Sequence, residues 1–382
     1  MNVEVNVDRI KYLMKIFNLT KDDFISMLSK GLKKNLTDKD ILASNIKLSV
    51  LKKMDKIFEK GINFYLNPYP VEINKETSIF FRKDSFSLPI NWGARGIISS
   101  FEDKKNLLLS YSSLSNLKIR RILPIYSIGD NPYKVAQEVL ENFSLNKGNV
   151  NKDSKLFLKN FINELSDRNV YVFEFIETWN KKEKANISGF FLNPNVIVLK
   201  RLQLSFKREI FSLAHELGHY LLDFEDVDDS EKNIDNNINE VETWCNDFAF
   251  AFIVGDYMKL FDCLDNASPN NDYHDNLCGE LTKCTAISAY AIYTHLLRIK
   301  KISNVDYKTI VDDLKRNYME RQAKSKLKPK VQLGERKGSA PKPIQSPLYI
   351  YTLRNALFDG IINEYDFCKQ LNVKSDKIMK YL

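Results

Sequence analysis

Three residues in the segment FKREIFSLAHELGHYLLDF can do metal chemistry together. His215 and His219 stand four apart, so on a helix their imidazoles lie one above the other on one face. Two rings at that spacing can chelate a single zinc ion, and Glu216, about 100° further round the helix, can reach a water held there. Zinc of this kind lowers the pKa of the water and polarises a carbonyl, while the glutamate takes the proton. That is the chemistry of amide hydrolysis. The competing account is a surface helix carrying two histidines by chance, and it has little room in a chain with four histidines in all.

A catalytic zinc needs a third protein ligand and an open position. His274 and His295 have the right chemistry, but neither sits in a helical pattern that aims it at this site. Glu242 is the better candidate, because on the helix VETWCNDFAFAFIV its face continues through Cys245, Asn246 and Ala249 while Phe248 and Phe252 turn inward. Glu240 is the rival, two residues earlier and so about 200° away on the same helix. The metal set expected from the residues is therefore His215, His219 and Glu242, with Glu216 as the catalytic group.

The elements that must position these residues can be read more coarsely. Ser205 is placed to cap the histidine helix, whose Leu213, Leu217 and Leu221 form an apolar stripe. Residues 7–66 look helical, with Ile10, Leu13, Ile16 and Phe17 on one face and Thr20 capping a second segment. Residues 71–131 read as a mixed connector, packed through Phe80, Phe81, Phe86 and Trp92. From 132 to 322 the order is helix, helix, strand, strand, helix, loop, helix, helix. Residues 323–347 read as a basic Pro/Gly linker, with seven basic residues, one acidic residue and four prolines. Residues 348–382 return to helical periodicity. The strand Val196–Leu199 reads as an edge that can take a substrate segment by strand addition or as an ordinary core strand, and the two readings are compatible.

Composition is that of an ordinary globular chain, 44% hydrophobic and 28% charged over 382 residues. The start MNVEVNVDRIKY lacks an apolar core for a signal peptide, and no apolar run is long enough to span a bilayer. Five cysteines without a compact framework suit a reducing cytoplasm. Charge is uneven: nine acidic residues and one lysine between Asp223 and Glu242 contribute −8, so the other residues carry +16 to give the net +8. An excess of that size is compatible with nucleic-acid contact and equally with a solvated lysine-rich surface. The DVDDSEKN stretch within the acidic segment lacks the central glycine of an EF-hand loop.

The segments ISGFFL at 187–192, VIVL at 196–199, FSLAHELGHYLL at 211–222 and ETWCNDFAFAFIV at 242–254 resemble the ImmA/IrrE family of metallopeptidases. The family's second motif opens on a glutamate in E-x-x-A-N-x-F-A; here Cys245 replaces the alanine, while Asn246, Phe248 and Ala249 match. The usual Met-Pro after this helix is replaced by Gly255 and Asp256. The resemblance implies zinc as cofactor, His215, His219 and Glu242 as ligands, and Glu216 as general base. It also implies an α+β fold: a mainly helical chain around a zincin-like catalytic core with a small β-sheet, plus helical N- and C-terminal regions. Residues 7–28 resemble the opening of a repressor-type helix-turn-helix, although GLKKNLTDKDIL gives no clear reading helix for its second half. Residues 284–310 resemble the two-helix segment that follows the family's core. Relatives cleave a repressor or an antitoxin, so the implied partner is such a protein.

Two function classes follow. One is an endopeptidase acting on a specific regulatory protein in the cytoplasm, with weak DNA binding as an added activity and no membrane role. The other is a DNA- or partner-binding regulator whose zinc site is not catalytic. An intact HELGH together with Glu242 favours the first. A second zinc site from His274, Cys278, Cys284 and His295 matches no structural zinc spacing, so core and loop roles are expected for them.

Overall fold

The computed structural model describes residues 1–71, 78–82, 90–145, 153–177, 184–201, 205–225, 227–229, 240–327 and 343–382. The chain divides into two compact units. The first comprises Met1–Leu107 with Lys182–Asn186, the second Leu108–Lys181 with Ile187–Leu382.

The first unit is built from short helices around one core. A two-stranded antiparallel ladder joins β1 (Asn2–Glu4) to β2 (Asn45–Lys47). The helices are α1 (Val7–Ile16), α2 (Lys21–Ser29), α3 (Asp38–Ile41), α4 (Leu48–Phe58), α5 (Ile62–Leu66), α6 (Ile79–Arg82) and α7 (Trp92–Leu114), the last of which begins in this unit. Thr20 caps α2 as the sequence suggests, its hydroxyl accepting from the Asp23 N–H at 3.2 Å. Ile10, Leu13, Ile16, Phe24, Leu51 and Met54 are fully buried, and Phe17 packs on Trp92 with ring centroids 4.5 Å apart. The expected all-helical reading of residues 7–66 misses β2, because a three-residue strand is too short to show alternation. Helices α1 and α2 exist, yet the next helix is the single turn α3, followed by β2. A helix that reads a DNA groove needs more length than that. The helix-turn-helix resemblance is thus not confirmed.

The second unit carries the chemistry. Its helices are α8 (Pro132–Glu141), α9 (Ser154–Asp167), α10 (Phe206–Leu221), α11 (Glu240–Val254), α12 (Lys259–Asp262), α13 (Asp275–Cys284), α14 (Ala289–Arg298), α15 (Asn304–Leu327), α16 (Pro347–Phe358) and α17 (Glu364–Leu371). Its sheet has the order β3 (Tyr171–Phe175), β5 (Val196–Lys200), β4 (Ile187–Leu192), β6 (Val227–Asp229). Strand β3 runs parallel to β5, and β4 runs antiparallel to both β5 and β6. The sheet is small and the chain mainly helical, an α+β fold.

Two expectations need correction. Strand β5, residues 196–200, is interior rather than an edge: its backbone pairs with β3 on one side and β4 on the other, which leaves no ladder groups for a substrate. The strands of this sheet that the sequence reading missed are β3, a buried YVFEF run that carries no period of its own, and β6, three residues within the expected loop. At residues 323–347, α15 continues to Leu327, and the other end of the expected linker is fixed. The Ile344 N–H donates to Glu174, and the Ser346 and Ser166 hydroxyls lie 2.8 Å apart. Residues 328–342 lie outside the described residues, as do Asp226 and 230–239 of the acidic segment. Beyond, Tyr171 and Thr352 share a 2.7 Å hydroxyl contact and Tyr349 stands edge-on to Phe173, so α16 packs into the same core as β3.

Candidate metal centre

Helix α10 begins where expected, after Ser205, but the serine side chain makes no capping hydrogen bond. Lys207 anchors the first turn instead, its Nζ donating to the carbonyls of Thr282 at 2.6 Å and Ile287 at 3.0 Å. Leu213, Leu217 and Leu221 are fully buried. The opposite side of α10 meets α11, and Gly218 permits the approach. A Cβ on Gly218 would stand 3.1 Å from Cys245 Sγ and 3.2 Å from its Cα, so the glycine of HELGH and the cysteine in place of alanine are neighbours across the helix pair.

That approach brings the histidines to Glu242. His215 Nε2 lies 3.3 Å from Glu242 Oε2, and His219 Nε2 lies 3.3 Å from Oε1. The two Nε2 atoms are 3.2 Å apart. His215 is 2% exposed and His219 is fully buried. His215 Nδ1 stands 3.2 Å from Asn246 Oδ1, an oxygen that only accepts. Nδ1 therefore carries the proton, and Nε2 presents its lone pair to the cluster. Burial alone would raise the Glu242 carboxyl, but the two histidine rings against it hold it far below the usual carboxylate range, so Glu242 is an ionised acceptor. Two imidazole nitrogens and a carboxylate thus converge, all able to act as acceptors. A divalent cation matches this donor set, and two nitrogens with a carboxylate suit zinc. Among the described residues this is the one group of three such side chains whose ligand atoms lie within 4.8 Å of one another.

The other candidates lie elsewhere. Glu240 is exposed at the first position of α11. His274 Nε2 sits 2.9 Å from the Asp265 carbonyl oxygen. His295 stacks on Phe250 with centroids 3.9 Å apart, and burial lowers its pKa to about 3, so it is a neutral core histidine. Near it, Asp247 takes donations from Arg298 at 2.6 Å and Tyr133 at 3.0 Å, which ties α11 to α14 and α8. Glu216 is fully buried beside β4, outside the three-residue cluster.

Residues 166–259, which hold β3, β4, β5 and both site helices, match the Peptidase_M78 family, described as an IrrE N-terminal-like domain. This segment is similar to an IrrE N-terminal-like domain. No curated protein and no solved structure matches the chain. The IrrE-like domain covers the whole converging cluster and stops just past the end of α11. Apart from residues 182–186 it lies within the second unit, and it does not reach α13 to α17. Two features of its site were not singled out from the residues. One is the hydrogen bond between His215 and Asn246, a residue that the sequence gives only as part of the Glu242 face and as a motif match. The other is Gly189, whose signal was a lone glycine among the bulky residues of ISGFFL.

Proposed function

We propose that this chain is a zinc-dependent endopeptidase that cleaves a specific regulatory protein in the cytoplasm, a repressor or an antitoxin. The observation that carries the reading is the convergence of His215 Nε2, His219 Nε2 and the Glu242 carboxylate in a buried site where His215 is oriented by Asn246. These three residues hold the ion. When bound, zinc supplies Lewis acidity toward a peptide carbonyl and an attacking water. Glu216, on the same helix and not a ligand, accepts the proton of that water and passes it to the leaving amine. Asn246 fixes the His215 tautomer, and the α10–α11 contact at Gly218 sets the spacing of the ligands. The peptidase-family domain over residues 166–259 supports the same assignment.

Substrate is selected by docking outside the scissile bond, since more than a hundred residues precede the IrrE-like domain and more than a hundred follow it. Strand addition is not available on β5; on the side of β4 the outer strand of the sheet is β6. The cytoplasmic placement rests on five cysteines that pair in no disulfide among the described residues. DNA contact is a secondary activity, weak and sequence-independent. It is supported by a groove in the first unit lined by Lys11, Lys15, Lys21 and Lys39 against one acidic residue, Asp38.

The test is co-expression of the chain with the product of the adjacent gene, alongside its Glu216→Gln variant and casein as a control. Cleavage of the neighbour at one bond, lost in the variant and not seen with casein, is the expected result. Brisk Glu216-dependent digestion of casein overturns the restricted substrate. Cleavage that persists in Glu216→Gln overturns the mechanism.

A further inference from the structure

Strand β4 crosses α10 at the level of Glu216, and the contact falls on Gly189. A Cβ placed on Gly189 would stand 2.8 Å from Glu216 Oε1, 3.1 Å from Glu216 Cγ and 3.1 Å from the carbonyl oxygen of Val198 on β5. The first distance is shorter than real Cβ contacts reach, and the last is to a backbone atom that cannot swing aside. Around this position β4 is bulky and buried: Ile187, Phe190, Phe191 and Leu192 are all at most 1% exposed. Glycine weakens a strand interior, so its presence there calls for a reason.

Two reasons compete. The ladder between β4 and β6 shifts register between Ile187 and Gly189, and a bulge can demand glycine for its backbone angles. Gly189 is not among the residues with positive φ, however, so its backbone is one that other residues can adopt. The remaining reason is space. The hydrogen on Gly189 leaves a slot in the face of β4, and the carboxylate of the fully buried Glu216 fills it. The three atoms nearest the missing Cβ include none from His215, His219 or Glu242, so the slot serves the glutamate and not the ligand set.

We infer that Gly189 is a positioning residue for Glu216: the slot it leaves in β4 holds the carboxylate in the one orientation from which it takes the proton of the attacking water. This rests on the reading of Glu216 as general base. A methyl group in the slot drives the Glu216 carboxylate out, because the Val198 carbonyl opposite is fixed in the ladder. A displacement of about 1 Å in a group that must meet a reacting atom can lower turnover about 100-fold without changing what the site binds.

The test uses the full-length, zinc-loaded chain in four forms: wild type, Gly189→Ala, Glu216→Ala and the double variant. Thermal unfolding, zinc content and cleavage kinetics are measured on each. Gly189→Ala is expected to lower Tm in the Glu216 background, and more than half of that loss should disappear in the Glu216→Ala background, where the crowded side chain is gone. Zinc should stay at about one per chain in all four. On the protein cleaved in the co-expression assay, Gly189→Ala should lower kcat about 100-fold with KM changed by no more than about twofold. An equal loss of Tm in both backgrounds, or no loss, overturns the inference, since the glycine would then answer to the ladder alone. A relieved Tm loss with kcat unchanged overturns the positioning role. If Glu216→Gln cleaves at the wild-type rate, the general-base reading fails instead, and the Tm comparison still decides whether Gly189 seats Glu216.

Discussion

Two clusters of buried ionisable side chains sit in the second unit, and they are built on opposite plans. In the first, Arg201 at the end of β5 donates to Glu174 of β3 at 2.9 Å and to Glu209 of α10 at 2.7 Å. The three side chains are 5%, 0% and 1% exposed. The second oxygen of Glu174 takes the Ile344 N–H. Burial raises the Glu174 carboxyl, against the pull of Ile344 and Arg201. Donors here face acceptors, with one guanidinium nitrogen shared between the two carboxylates. In the second, the His215 and His219 Nε2 atoms converge on the Glu242 carboxylate, and Asn246 Oδ1, at His215 Nδ1, also accepts. A buried cluster with its own cation is architecture. One made of converging acceptors calls for a cation from outside, and that is what separates a strut from a site.

The sharpest way to test that contrast is to remove one group from each cluster and compare what is lost. The largest effect is expected at the site. Glu216→Gln should lower the cleavage rate by about 100- to 10,000-fold, the range a positioned general base contributes, with thermal stability close to wild type. A rate within a few-fold of wild type would remove Glu216 from the chemistry.

The reverse pattern is expected at the Arg201 cluster. Arg201→Met leaves two buried carboxylates without their counter-charge, a change that costs about 3–5 kcal/mol of stability. Denaturant unfolding should show that loss while zinc content stays near one per chain. Full stability in the variant would mean that Glu174 and Glu209 are held by something other than Arg201. Loss of zinc would mean the two clusters are coupled through α10.

The smallest effect is expected at Glu240. It is exposed two residues before Glu242, so Glu240→Ala should change stability by less than about 0.5 kcal/mol and leave metal content untouched, whereas Glu242→Ala should lose the metal. The opposite result would shift the register of α11 by half a turn.

Much of this contrast was legible in the sequence on one side and hidden on the other. His215, Glu216 and His219 could be read because a helix makes spacing into geometry: four residues apart means one face. Glu242 could be ranked above Glu240 by the same rule, since the two face almost opposite ways on α11. Arg201, Glu174 and Glu209 could not be grouped, because they come from two strands and a helix whose pairing no local pattern encodes. The same limit explains β5. Its apolar run fits an edge or an interior strand equally, and only β3, an unpatterned buried run, decides between them. Gly189 was visible as a residue but not as a contact, since the reason for it lies on another element. The first unit's short helices were legible from Thr20 and the Ile10–Leu13 face, while β1 and β2 were too brief to leave a period.

The most direct test of the account is the zinc content of the purified chain beside three variants, each measured by elemental analysis after zinc supplementation and removal of loosely bound metal. The account predicts about one zinc per chain in the wild type and in Glu216→Gln, and little in His215→Ala and Glu242→Ala. No zinc in the wild type, or the same loss in Glu216→Gln as in His215→Ala, would contradict it.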